Sequence, residues 1–177
     1  ISEETTCLRY INPKLDESKW DLDKIVRNYT ITNGKIIPDG RSGKRADPLF
    51  ADYVLLLGPN YPIAVIEAKS YDLPHDQGMQ QALQYAEKLN LNFVYATNGK
   101  KIEEYDFITK KQKTIDRFPT PHELLERLRP VLNLDDEQLK VLLHPFDRKS
   151  QDPGGRPMVP RYYQEIAINA ATTAVLH

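Results

Sequence analysis

Two neighbouring apolar runs limit the fold of this chain more than any other feature of its sequence. Residues 52–57 read DYVLLL, residues 63–68 read IAVIEA, and only GPNYP lies between them. Runs of this length and composition are typical of strands buried on both faces of a sheet. Five residues are too few for the crossover that parallel strands need, so the connection favours antiparallel neighbours. The sequence therefore predicts a hairpin inside a sheet.

Helical and strand patterns alternate around this hairpin. Apolar spacing predicts helices over residues 2–15, with a kink or an end at Pro13, and over residues 77–89. Residues 92–98 (NFVYATN) predict another buried strand, and residues 101–107 (KIEEYDF) predict a more polar strand at the sheet edge. This order of elements predicts an α/β fold, with a mixed β-sheet flanked by helices.

A second hairpin is predicted in front of the first. Residues 27–38 alternate apolar and polar side chains around Asn33-Gly34, which is a strong turn signal. Residues 38–48 are expected to form a charged loop. Basic residues give this part of the chain a local positive excess, which either contacts phosphates or is a solvated charge run. They are Lys35, Arg41, Lys44 and Arg45.

The rest of the chain is expected to be helical on both sides of a linker. Short helices are predicted over residues 121–128 and 135–143, and a new amphipathic helix begins near Tyr162. Residues 147–160, DRKSQDPGGRPMVP, have the composition of a linker.

Composition and charge narrow the possible functions. The net charge is −1, whereas a protein that holds nucleic acid by itself is usually more basic, so such a role needs a local site or a partner. Cys7 is the single cysteine, which excludes a disulfide framework and a cysteine zinc site. No apolar run approaches the roughly 20 residues of a membrane span, so no membrane role is expected.

The end of the second apolar run combines an acid and a base. Glu67 and Lys69 stand two residues apart, so their side chains share one face of a strand. Antiparallel pairing can bring Asp52, at the start of the first run, close to Glu67. A salt bridge where the strand leaves the core is the simpler interpretation. The alternative is a catalytic site, because two adjacent carboxylates repel each other unless a cation such as Mg²⁺ binds them.

Such a site contains what the hydrolysis of a phosphodiester requires. Mg²⁺ binds proteins through one or two carboxylates together with a phosphate. Lys69 would then orient or deprotonate a water, or stabilise the charge that develops on the phosphate.

These residues resemble the PD-(D/E)xK nuclease family, which places an acid on one strand, here Asp52, and E-x-K on the next, here Glu67 to Lys69. The sequence QALQY contains Gln81 and Tyr85 and resembles the Q-x-x-x-Y motif of the branch similar to the nuclease domain of the RecB exonuclease. At this spacing the two side chains share a helix face, although a surface pair is the alternative. The family has a proline before the aspartate, where this chain has Ala51.

A longer, ordered set of motifs resembles the amino-terminal region of the R subunit of type I restriction enzymes. It includes SEETTCLRYINPKL, ADYVLLL, AVIEAKS, QALQYAEKL, FVYATNGKKIEEYD and RYYQEIAINAA. The resemblance implies a restriction-endonuclease-like mixed β-sheet with a C-terminal helical extension. It also implies a cytoplasmic, Mg²⁺-dependent endonuclease that cuts double-stranded DNA, with specificity and methyltransferase subunits as partners.

The resemblance further assigns roles to individual residues. Asp52 and Glu67 would bind the metal, Lys69 would be catalytic, and Gln81 and Tyr85 would support Lys69 or position the DNA backbone. The helical acid of the family maps to Glu3. Spacing alone does not choose between Glu3 and Glu4, and both also suit the first turn of a helix.

The resemblance also implies domain boundaries. A nuclease core would span residues 1–118, a helical extension 119–146, a linker 147–160, and the first helix of a superfamily 2 helicase motor 161–177. Gln164 in that helix would read adenine in the full-length, ATP-dependent protein. The chain has no G-x-x-x-x-G-K-[ST] sequence, so ATP is expected to bind to a motor that follows residue 177.

Several alternatives stay open at this point. Asp47 is a second candidate acid, but Asp52 is favoured because it leads directly into the apolar strand. His75 could contact DNA, or it could be a solvated loop histidine. Another nuclease of the same fold, such as a repair exonuclease, is one rival function. A non-catalytic nucleic-acid-binding or assembly domain is another.

Overall fold

A mixed six-stranded sheet forms the centre of the structure, a computed structural model that describes residues 1–32, 36–39, 42–45, 47–143 and 162–176. The strands are β1 (Ile25–Thr32), β2 (Ile36–Asp39), β3 (Ser42–Arg45), β4 (Leu49–Gly58), β5 (Tyr61–Ala68), β6 (Phe93–Thr97), β7 (Ile102–Asp106) and β8 (Lys111–Ile115). The large sheet has the order β1-β4-β5-β6-β7-β8. Its neighbours are antiparallel except for β5 and β6, which confirms the predicted mixed sheet.

The helices lie close to the predicted positions. They are α1 (Glu3–Thr6), a π-helical turn (Cys7–Ile11), α2 (Asn12–Glu17), a 3₁₀ turn (Leu22–Lys24), α3 (Met79–Leu89), α4 (Pro121–Leu132), α5 (Asp136–Leu143) and α6 (Tyr162–Leu176). The kink predicted at Pro13 takes the form of the π-helical turn, because a proline ring clashes with the carbonyl four residues before it in a regular α-helix. Among the helices in the described ranges, none is long and apolar enough to cross a bilayer.

The central hairpin is confirmed, and its register decides which side chains meet. Tyr53 pairs with Ile66 and Gly58 pairs with Tyr61, so only two residues remain for the turn. Side chains of β4 alternate between the two faces of the sheet. Tyr53 packs in the core beneath the N-terminal helices, α4 and α5, whereas Val54 packs in the core beneath α3.

The predicted hairpin between β1 and β2 is wrong. β1 pairs with β4, and β2 pairs with β3, which lies in the region predicted to be a loop. A turn signal predicts that the chain reverses, but it does not determine the partner. Ile31 is buried in the core beneath α3, so burial against the long apolar β4 decides the pairing of β1. Asn33-Gly34, Lys35 and Arg41, and the side chains of Lys44 and Arg45, lie outside the described residues.

The prediction that residues 101–107 form an edge strand is also wrong. β7 is an inner strand, and the polar β8 is the edge. The acids of β7 misled the prediction because their charges are neutralised inside the protein. Glu104 is fully buried, and Arg127 of α4 donates two hydrogen bonds to it, at 2.9 and 3.0 Å, and one to Asp106 at 2.8 Å.

This buried ion cluster leads to a stability prediction. Replacing Arg127 with methionine should lower the free energy of unfolding by about 3 kcal/mol or more, because the buried carboxylates of Glu104 and Asp106 would lose the cation that they share. Urea denaturation followed by circular dichroism measures the change. The control is Arg129→Met, which removes a half-buried arginine of the same helix whose partners, Glu126 and Asp136, are exposed, and it should change stability little. Equal effects of the two substitutions would contradict the prediction.

Candidate active site

Asp52, Glu67 and Lys69 meet at one end of the sheet. Because Tyr53 pairs with Ile66, the next residues outward, Asp52 and Glu67, stand opposite each other. Asp52 Oδ2 accepts a hydrogen bond from the Ala68 backbone N–H at 2.7 Å. Lys69 Nζ donates to Glu67 Oε1 at 2.8 Å. The three side chains therefore form a continuous cluster, here called the acid–lysine rim.

The two carboxylates of this rim are held where charge is costly. Glu67 is only 3% exposed, and its burial, together with the nearby charge of Asp52, raises its pKa to about 7. Burial also raises the pKa of Asp52, although the hydrogen bond from Ala68 and the charge of Lys69 oppose this. Within the described part of the chain, Glu67 Oε2 is buried without a hydrogen-bond partner. A buried carboxylate oxygen of this kind normally has a partner, and a cation would be one.

The donor set fits magnesium better than a metal that needs many protein ligands. Among the described residues there is no group of three or more His, Cys, Asp or Glu side chains that could hold a metal ion. Mg²⁺ does not need such a group, because it keeps several waters and uses one or two carboxylates. Asp52 and Glu67 supply that number.

Glu3 interacts electrostatically with the acid–lysine rim. Glu3 and Glu4 both line a cavity of about 190 Å³ that reaches Asp52. Burial and the charge of Asp52 raise the pKa of Glu3, and Glu3 in turn contributes to the raised pKa of Glu67. A role of Glu3 near the metal stays a prediction.

The start of α3 packs directly against the rim. A Cβ atom added to Gly78 would lie 2.7 Å from Glu67 Cγ and 3.2 Å from Lys69 Cε. The first distance is shorter than real Cβ contacts and the second is tighter than nine in ten of them, so a side chain fits here only if the acid or the lysine moves. Gly78 therefore helps to fix the position of both side chains, and sequence reasoning did not find it.

Gln81 and Tyr85 share a face of α3, as their spacing predicted. Gln81 Nε2 donates to Tyr85 OH at 2.6 Å, and Tyr85 is buried whereas Gln81 is exposed. No hydrogen bond between described residues joins either of them to Asp52, Glu67 or Lys69. Their supporting role stays a prediction.

A second feature missed at the sequence level lies beside Asp52. The exposed Arg27 and its neighbour Asn28 line the same cavity as Glu3, and Asn28 has a left-handed backbone with φ of 48°. The β1–β4 register places Asn28 opposite Asp52. An asparagine inside a predicted strand was the available signal, because asparagine is rare in strands and tolerates positive φ.

The remaining candidates from the sequence are Asp47, His75 and Gln164. Asp47 is exposed in front of β4. His75 lies half-buried in the loop before α3, with its Nε2 3.3 Å from Glu103 Oε2, and its contact with DNA stays a prediction. Gln164 lies on α6 and is exposed, and its adenine-reading role stays a prediction.

The fold and the rim together define an α/β domain with an acid–acid–lysine cluster at one end of a mixed sheet. The chain belongs to the family of type I restriction enzyme R protein N termini, whose family model (HSDR_N) matches residues 3–119. It is 33% identical over 182 residues to the type I restriction enzyme EcoAI endonuclease subunit of Escherichia coli. Its fold matches the fragment structure of a candidate HsdR subunit of a type I restriction enzyme from Vibrio vulnificus YJ016, with a TM-score of 0.85 and 43% identity.

These relatives are much longer than the chain. The alignment with the Escherichia coli subunit covers 99% of this chain but 22% of that protein. The match with the Vibrio structure covers 99% of this chain and 33% of that one. The chain therefore corresponds to a fifth to a third of the proteins it resembles.

Proposed function

We propose that this chain is the nuclease part of a type I restriction enzyme R subunit and hydrolyses phosphodiester bonds of double-stranded DNA with Mg²⁺. One observation carries the proposal. Asp52, Glu67 and Lys69 converge at one end of the sheet, and Glu67 keeps a buried oxygen without a partner among the described residues. A structural salt bridge needs Glu67 and Lys69, but it does not need a second, half-buried carboxylate beside them.

The rim residues divide the chemistry between them. Asp52 and Glu67 would hold Mg²⁺, which when bound acts as a Lewis acid towards the phosphate. Lys69 stabilises the charge that develops on the phosphate. Burial lowers the pKa of Lys69, but the hydrogen bond and the charge of Glu67 outweigh it, so that the pKa lies above its usual value. A lysine that holds its proton this firmly favours charge stabilisation over the removal of a proton from water.

The other candidates act through these residues. Glu3 adds negative charge near the metal, and Gln81 and Tyr85 orient Lys69 or the DNA backbone.

In the full-length protein, residues 1–118 form the nuclease core and residues 119–146 a helical extension. After the linker 147–160, residues 161–177 begin an ATP-dependent helicase motor, in which Gln164 contacts adenine. Specificity and methyltransferase subunits supply the choice of DNA sequence.

A metal titration tests the proposal. Adding Mg²⁺ should shift the NMR signal of the Glu67 side-chain carboxyl carbon in a saturable way, because an ion between the two carboxylates changes the charge around both. Asp52→Asn should weaken this response at least tenfold, since it removes one of two charged ligands. Glu87→Gln, the matched neutralisation of an exposed acid of α3, should leave it unchanged. No saturable shift at Glu67, or equal responses in the two variants, would count against the proposal.

A further inference from the structure

Tyr71, in the loop that follows Lys69, contacts an aromatic ring and a lysine from two other segments of the chain. The rings of Tyr10 and Tyr71 have centroids 4.6 Å apart and planes at 27°. The Lys100 ammonium lies 4.0 Å from the centroid of the Tyr71 ring. Because Tyr10 covers one face of this ring, Lys100 lies on the other. These three residues form a layered arrangement, here called the Tyr–Lys stack.

Hydrogen bonds from separate segments hold the stack in place. The Tyr71 backbone N–H donates to Thr6 Oγ1 at 2.9 Å, which joins the loop to α1. Asn98 Nδ2 donates to the Leu73 carbonyl at 2.7 Å, and Asn98 Oδ1 accepts from the Lys100 N–H at 3.0 Å. The backbone around Lys100 and Tyr71 is therefore fixed before any ligand arrives, which reduces the entropy lost on binding.

Gly99 allows the close approach that the stack requires. Its φ is +83°, and a Cβ atom added there would lie 2.6 Å from Tyr10 Cβ. The turn between β6 and β7 can touch the N-terminal helical segment only because this residue has no side chain. Asn98-Gly99 therefore reverses the chain and also allows the turn to contact Tyr10.

The stack lies next to the acid–lysine rim. Tyr71 is two residues beyond Lys69, which limits the distance between their Cα atoms to roughly 7 Å. The Lys69 N–H donates to the Thr97 carbonyl at 2.8 Å, so the chain segment that precedes Lys100 also holds the backbone of Lys69.

We propose that the Tyr–Lys stack binds the phosphate backbone of the DNA strand beside the cleaved bond, with Lys100 as the phosphate contact. This inference rests on the proposed function and adds a positioning residue to it. An ammonium that rests on an aromatic ring keeps its charge and still has protons to donate to a phosphate.

The charge of the chain explains why this contact matters. With a net charge of −1, the chain gains little from a general attraction to DNA, so local cations must supply it. Lys100 is exposed, and exposed Lys101 follows it directly. The carboxylate of Asp72 also lies near Lys100 and offsets part of its charge in the free protein.

Plasmid cleavage by the complete restriction complex tests the inference. Lys100→Gln should raise the DNA concentration for half-maximal cleavage about eightfold at roughly 0.1 M salt, the contribution of one phosphate contact. It should also lower the slope of log affinity against log salt by about 1, an effect that lost packing would not produce. Lys100→Arg should retain near-parental behaviour. Lys111→Gln, the same charge change at the far end of the β7–β8 hairpin, is the matched control.

The outcomes separate this inference from the proposed function. If Lys69→Ala abolishes cleavage while Lys100→Gln leaves both the DNA concentration and the salt slope unchanged, the stack does not bind DNA and the nuclease assignment stands. Equal effects of Lys100→Gln and Lys111→Gln would also overturn the inference, because only overall charge would then matter. If Lys69→Ala still cuts normally, the nuclease assignment itself fails.

Discussion

Replacing Lys69 with alanine should abolish DNA cleavage by the complete enzyme, with a loss of at least a hundredfold. The reason is that Lys69 supplies the positive charge of the acid–lysine rim, next to the Glu67 carboxylate, and removing one such group from a catalytic site costs about that much. The fold should survive, because Glu67, whose pKa is already raised to about 7, can take up a proton when its partner is lost. Conversion of supercoiled plasmid to cut forms measures the loss.

Two further variants make the interpretation of Lys69→Ala secure. Lys88→Ala removes an exposed lysine from α3 and should leave cleavage unchanged. Lys69→Arg keeps the charge but changes its shape, and should recover only part of the activity. Unfolding of Lys69→Ala, seen by circular dichroism, would instead show that Lys69 is a structural salt-bridge residue.

Replacing Gly78 with alanine should reduce cleavage by about a hundredfold, although Gly78 has no functional group. The added Cβ would lie 2.7 Å from Glu67 Cγ, so the Glu67 side chain must move, and shifts of about 1 Å in a catalytic site cost roughly that factor. The backbone accepts alanine, since φ at Gly78 is −82°. Overpacking should also lower the free energy of unfolding by about 1–3 kcal/mol.

The Gly78→Ala measurement needs the cleavage assay together with urea denaturation. Gln84→Ala, at an exposed position of the same helix, should change neither quantity. Parental cleavage by Gly78→Ala would contradict the claim that Glu67 and Lys69 must be held in fixed positions.

Local sequence patterns predicted the positions of the helices and strands better than they predicted which strands pair. The hairpin between β4 and β5 could be predicted because apolar runs joined by a short turn have one simple arrangement. The pairing of β1 with β4 depends on burial of Ile31 against a distant part of the chain, which no local signal contains. β8 escaped prediction because its side chains are mostly exposed and lack apolar alternation.

The candidate site likewise contains residues that local spacing predicts and residues whose role depends on contacts between distant segments. Glu67 and Lys69 could be paired from their two-residue spacing, and Asp52 from the hairpin register. Gly78 could not be found in this way, because its importance comes from the contact between the start of α3 and the end of β5. The position of Arg27 beside Asp52 likewise depends on the pairing of β1 with β4, which the sequence did not reveal.

The ratio of DNA strands cut to ATP molecules hydrolysed tests the central claim most directly, because both activities are measured in one reaction of the complete enzyme. The account predicts that Lys69→Ala lowers this ratio at least a hundredfold while ATP hydrolysis stays at the parental rate, because the proposed nuclease site is separate from the proposed ATP-dependent motor. A parental ratio in this variant would contradict the assignment of the rim as the nuclease site.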